Sequence, residues 1–181
     1  ISETMLITRY IVLLLQPLFD NDDLNIRLDF TATELAEKCK RPPNFNGCPD
    51  CIITRFTHQT DGGINIGYSE VKKISMARNH YLVNWDLVRL AFFGKNAIDD
   101  NHLGGNISIH IVGSTFHRFY LIKLQSDGIY TMTELLRVQV PMSVSEVPAY
   151  LTNLARLKNV IHISEKHCNK EAMMLTLSPV P

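Results

Sequence analysis

No sign of charge prevails in this sequence. Its 181 residues carry 18 Lys and Arg against 18 Asp and Glu, so the formal net charge is zero. A chain without a basic excess has no general means of neutralising phosphates, which disfavours broad nucleic-acid binding. The densest basic patch is Val71–Ile74 ("VKKI") with Arg78, and such a run reads first as a solvated edge. Long apolar runs are missing as well. The block "MLITRYIVLLLQPLF" is interrupted by Arg9 and Gln16, and its cleanest stretch, Tyr10–Leu15, falls far short of the about 20 residues of a membrane span. The Gly-x-Ser-x-Gly elbow, the P-loop, the dinucleotide glycine fingerprint and His-Glu-x-x-His are all absent. No carboxylate pair stands out in an apolar setting, and Glu134 in "TMTELL" reads as an outward-facing strand residue.

Cysteine is scarce. Four are present, Cys39, Cys48, Cys51 and Cys168, in a chain too long to depend on disulfides for its fold. Internal repeats, low-complexity segments and a long linker are lacking, so residues 1–181 are expected to form a single domain. The start at Ile1 leads us to expect a mature product or a fragment of a larger protein. The apolar fraction of 45% and charged fraction of 20% are those of an ordinary globular chain able to bury a core.

The patterning predicts α+β. Residues 3–19 read as a helix capped by Ser2 and disturbed near Pro17, apolar almost all round. "LNIRLDF" (Leu24–Phe30) alternates with period two, and Thr31–Glu34 is a capping box for a short helix. Between residues 51 and 141, β-branched and aromatic runs predict a mainly antiparallel sheet of at least four strands, with turns at Asp61-Gly62 and Asp127-Gly128. "YLVNWDLVRLAFF" mixes both periods, and its first part is read as strand. A C-terminal amphipathic helix begins near Ser143, with Val147, Tyr150, Leu151, Leu154 and Leu157 on one stripe, and "NVIHIS" (Asn159–Ser164) is read as a further strand. The sequon at Asn106 lies in a run that looks buried, which argues against its use.

The most chemically suggestive stretch is "NGCPDCIITRFTHQT", residues 46–60. Cys48 and Cys51 on one tight turn could share a tetrahedral zinc ion, with Cys39 and His58 as the nearest further ligands. Disulfides such as Cys39–Cys48 and Cys51–Cys168, and free thiols, explain the same spacing. A redox pair is disfavoured, because a strand-like run rather than a helix follows Cys51. Two tripeptides, His58-Gln59-Thr60 and His162-Ile163-Ser164, each join a histidine to a hydroxyl in a β-like segment. Facing each other across a sheet, they would resemble the two-histidine phosphoesterases. That resemblance implies one imidazole as base and the other as acid, with Thr60 and Ser164 holding phosphate oxygens.

Two functional expectations follow. The first is a non-catalytic binding or assembly module, oligomeric or bound to a protein partner, with an apolar ligand pocket as a variant. The all-round apolar first helix motivates it, and Tyr10, Leu14 and Leu15 are its candidate interface. The alternative is an enzyme built on His58, Thr60, His162 and Ser164.

Overall fold

The computed structural model describes residues 2–30, 48–56, 62–113 and 116–170. The first helix starts where its cap predicts: the Ser2 hydroxyl accepts a bond from the Met5 amide at 3.2 Å. Helix α1 (Glu3–Leu6) passes through one π-helical turn (Ile7–Ile11) into α2 (Val12–Phe19), and Pro17 lies inside α2 without ending it.

Six strands follow in one sheet: β1 (Ile26–Asp29), β2 (Cys51–Phe56), β3 (Gly63–Lys72), β4 (Asn106–Val112), β5 (Phe116–Ser126) and β6 (Ile129–Val138). They lie side by side in chain order. Every pairing is antiparallel except β3 with β4. The fold is therefore α+β with a mainly antiparallel sheet. The β5–β6 hairpin turns at Asp127-Gly128, where Gly128 takes φ of 73° at no steric cost. The expected helix after Thr31 and the Asp61 half of the other turn lie outside the described residues.

The parallel pair explains the first correction. Parallel neighbours need a crossover, and the crossover here is α3 (His80–Asn101), a helix that includes the stretch read as strand at "YLVNWDLVRLAFF". The Asn79 side chain caps it by accepting from the Leu82 amide. Asp86, Leu90, Phe93, Ala97 and Ile98 recur at helical spacing and are buried, so the 3.6-residue period prevails over β-prone composition. Gly94 lets α3 approach closely, since a Cβ there would stand 2.4 Å from the Ile122 δ-carbon.

Side-chain alternation sorts the faces. Tyr68 on β3 packs its ring on Phe93 of α3. The register puts Ser108 and Tyr120 on that same face. The adjacent residues Ser69, Ile109 and Phe119 therefore face the other way, where Phe119 stacks on Phe19 of α2 with ring centroids 6.4 Å apart. Helix α5 (Leu154–His167) packs against α2, β4 and β6 and shares this second layer. The sheet is thus covered on both faces, and all of Asn106–Ile111 is buried.

Three more expectations change. Asn159–Ser164 belongs to α5 and is helical, because Leu157, Val160 and Ser164 form one buried helical stripe. The stripe read through Leu151 and Leu154 does not reach the core. Helix α4 (Val147–Leu151) ends before α5 begins, and Leu151 and Leu154 stay 54% and 41% exposed. Leu15 is 0% exposed and Tyr10 packs against the core, so the chain's own sheet and α5 cover one flank of the first helix, while Leu13 stays 69% exposed on the other. Leu15 is thereby withdrawn from any partner, and Leu14 is half-buried. Among the described residues no helix is long and apolar enough to cross a membrane.

These burials set an expected contrast in urea unfolding. Leu157→Ala should cost roughly 2–5 kcal/mol, whereas Leu154→Ala should stay within about 0.5 kcal/mol of the parent. Leu15→Glu should leave the chain unfolded, because a lone carboxylate cannot be carried into that core.

Candidate functional site

A strand covered on both faces should be apolar throughout, and β3 is not. Glu70, near its carboxyl end, is 1% exposed, and its neighbours Ser108 and His110 on the α3 face of β4 are both 0% exposed. These polar groups gather at the carboxyl end of the parallel pair, under the first turns of α3. β2 runs opposite to β3, so its start brings Asp50 to the same end. The Asp50 amide donates to Ser69 O, and Asp50 Oδ2 accepts from the Val71 amide at 2.7 Å. Asp50, one residue before β2, is near enough for its charge to act on Glu70, and Lys72 lies two positions after Glu70 on the same face.

Helix α3 supplies the remainder. Arg89 Nη2 lies 3.0 Å from Glu70 Oε1 and donates to Cys48 O at 2.9 Å. The approach to Glu70 is an ion pair set off the hydrogen-bond axis, since Glu70 Oε1 has no hydrogen-bond partner. Asp86, 2% exposed, stands 3.4 Å from Lys72 Nζ and 3.7 Å from Arg89 Nη1 through Oδ1. Its Oδ2 lies 3.9 Å from His110 Nε2, too far for a hydrogen bond, and both ring nitrogens of His110 lack hydrogen-bond partners. Orphaned polar atoms this deep are costly to a fold, and such arrangements concentrate at functional sites.

Electrostatics agree. Desolvation pushes Glu70 up to about 8, and the charges of Asp50 and Asp86 add to the rise while Arg89 and Lys72 oppose it. Desolvation also raises Asp50, against the Val71 amide and Lys72, and Glu3 at the start of α1 lies close enough to contribute. Three carboxyl groups face two fixed cations. With Glu70 protonated the charges balance, and loss of its proton leaves one negative charge in excess, which a bound cation could take up. Among the described residues no three His, Cys, Asp or Glu side chains converge closely enough to hold an ion alone. Four-ligand zinc is therefore a poor fit. A hard cation such as Mg²⁺ needs only one or two carboxylates, with water and substrate completing its shell. Asp50 and Glu70 suit that role.

The residues singled out from sequence are dispersed. Cys51 pairs with Ser69 and so faces α2, away from Asp50; it is fully buried, and desolvation holds its thiol well above the ordinary range. Cys48, Cys51 and Cys168 are free, which removes the Cys51–Cys168 disulfide, and Cys168 is pushed up to about 12 by burial. Cys39, His58 and Thr60 lie outside the described residues. His162 is exposed in the middle of α5 while Ser164 is buried, so the strand-borne histidine pair is not formed at this end. Asn106 is fully buried, with its side chain donating to Asn65 O. A cavity of about 230 Å³ between Gln139–Pro141 and Glu146–Asn153 lies away from the carboxylates, below the roughly 300–1,000 Å³ of small-molecule sites.

Sequence reasoning passed over Asp50, which lies between the two cysteines that drew attention, and over Glu70, and it read Lys72, in the Val71–Ile74 patch, as part of a solvated edge. Alternation could have joined Glu70 to Lys72: in "INIGYSEVKKI" these charged residues, two apart, share one face of the strand. Compared with protein-family models, curated proteins and solved structures, the chain matches none.

The raised Glu70 value makes a signed prediction. The folded state holds this proton more tightly than the unfolded state, whose ordinary value is 4.5. The stability it contributes is complete below pH 4.5 and is lost as pH rises through about 8. Chemical unfolding across that range should show the decline in the parent and a flatter profile in Glu70→Gln. A cation must displace the same proton, so Mn²⁺ or Mg²⁺ affinity measured by calorimetry should rise with pH up to about 8 and then level.

Proposed function

We propose that this protein is a divalent-cation-dependent hydrolase of phosphodiesters. One observation carries the reading: Asp50, one residue before β2, and the buried Glu70 of β3, with Lys72 beside them, at the carboxyl end of the parallel pair. In this reading Asp50 and Glu70 would hold the cation, which when bound polarises a phosphoryl oxygen and acidifies an attacking water. Arg89 fixes the Glu70 carboxylate and ties it to the Cys48 carbonyl, so the ligand pair keeps its spacing. Lys72 has its side chain 18% exposed, enough to touch a bound phosphate and to offset the charge that builds on its oxygens. Asp86 anchors the Lys72 ammonium from the helix side. A phosphodiester suits the set because its oxygens complete a cation shell that the protein leaves partly open.

The assembly reading retains one supporting observation at another place. Val144, Val147, Leu151 and Leu154, on the turns that lead through α4 into α5, are 88%, 38%, 54% and 41% exposed, and a protein partner or a second copy would cover them. It competes with the hydrolase reading only if the carboxylates prove inert.

The deciding experiment is hydrolysis of bis(p-nitrophenyl) phosphate by the full chain with Mg²⁺ or Mn²⁺, and with EDTA. Cation-dependent turnover should fall roughly 10²–10³-fold in Asp50→Asn, Glu70→Gln and Lys72→Met, with melting temperatures maintained. Turnover unaffected by all three substitutions, or absent with every cation, refutes the proposal. His162→Ala should leave the rate unchanged, which separates this site from the histidine pair.

A further inference from the structure

The geometry points to Tyr81 and Trp85 of α3 as a stacking platform for the bases of an unpaired nucleic-acid strand, a substrate assignment that rests on the hydrolase reading. The two rings and Arg89 are spaced four residues apart, so they form one row along the helix with steps of about 6 Å. Exposure falls along the row, from 75% at Tyr81 to 48% at Trp85 and 18% for the Arg89 side chain. The row therefore begins in solvent and ends at the guanidinium that holds Glu70. Nothing in the fold requires two large aromatic rings in water on that helix, since its core-facing residues are Asp86, Leu90, Phe93 and Ala97.

Charge selects the occupant. The chain is neutral overall, yet Lys73 and Arg78 stand together just before the row, while Lys72 and Arg89 are paired with Asp86 and Glu70 and Lys95 with Asp99. A flat ring flanked by cations suits a base flanked by phosphates, and every base offers a face to stack on. In a duplex those faces are already covered by neighbouring base pairs, so an exposed ring row favours a strand with unpaired bases. A strand lying along the row would carry a phosphate to Arg89 and Lys72, beside the two carboxylates.

Trp85 is the only tryptophan, so its fluorescence reports on the platform alone. The full chain should be titrated with an oligothymidylate and with a duplex of the same length, both with EDTA so that no cleavage intervenes. Saturable quenching by the single strand, weaker with duplex and diminishing with salt, is expected. Anisotropy of a labelled single strand should then show roughly ten-fold weaker binding in Trp85→Ala and in Tyr81→Ala, with Trp85→Phe close to the parent. Unquenched Trp85, equal binding of duplex and single strand, or unchanged affinity in both alanine variants overturns the inference. Asp50→Asn and Glu70→Gln separate the two readings. Single-strand binding that depends on Tyr81 and Trp85, without cleavage by the parent in Mg²⁺ or Mn²⁺, sinks the hydrolase and keeps the platform. Cleavage lost in the carboxylate variants but indifferent to Tyr81 and Trp85 keeps the hydrolase and sinks the platform.

Discussion

The parallel pairing of β3 with β4 is the constraint on which the rest depends. Two parallel neighbours cannot be joined by a hairpin, so the chain must leave the sheet at Lys72 and return at Asn106. The segment between is long enough for a helix, and that helix lies across the face it has just left. Its first turns therefore stand over the carboxyl ends of both strands. Asp86 and Arg89 come to rest on Glu70, Lys72 and His110 because the crossover leaves them there. The antiparallel strand β2 then contributes Asp50 at the same end with no further device.

This arrangement costs stability. A buried ion pair seldom outweighs an apolar pair of the same volume, and here several polar atoms lack partners altogether. The molecule compensates on the opposite face of the sheet, where Ile107, Ile109, Ile111, Phe119 and Leu121 meet α2 and α5 in a dry layer. Most of the orphaned polar atoms lie on the α3 face, with Ser69 Oγ and His117 Nε2 the exceptions on the packed one. That division accounts for the two characters of β4, apolar at each odd position and polar at Asn106, Ser108 and His110.

Much of the fold was legible in the sequence. The Ser2 cap, the alternation of β1, the Asp127-Gly128 turn and the long runs of β4 to β6 all encode their structure locally. What local signals could not carry was direction. Whether β3 and β4 run parallel depends on the span between them, and that span was misread because Tyr81, Val83, Trp85 and Val88 favour strands by composition. At "NVIHIS" the same β-branched bias concealed a helix held by Leu157 and Val160. The candidate site was obscured for a related reason. Asp50 and Glu70 are far apart in sequence and belong to no fixed spacing, so only the β2–β3 register brings them together. The cysteines beside Asp50 are the more conspicuous residues, yet Cys51 is turned to the packed face.

The sheet's last strand shows how the molecule ends. β6 is a long border, with no strand paired to its outer side among the described residues, and such a border is a template for fibril growth. Its register with β5 slips twice, between Phe119 and Tyr120 and between Leu124 and Ser126. Each slip adds local twist, and Glu134 and Arg137 place both signs of charge along the strand. A second border of the same kind would meet it out of step and charge against charge. The irregular hairpin thus makes the sheet's open side a poor template for a second copy.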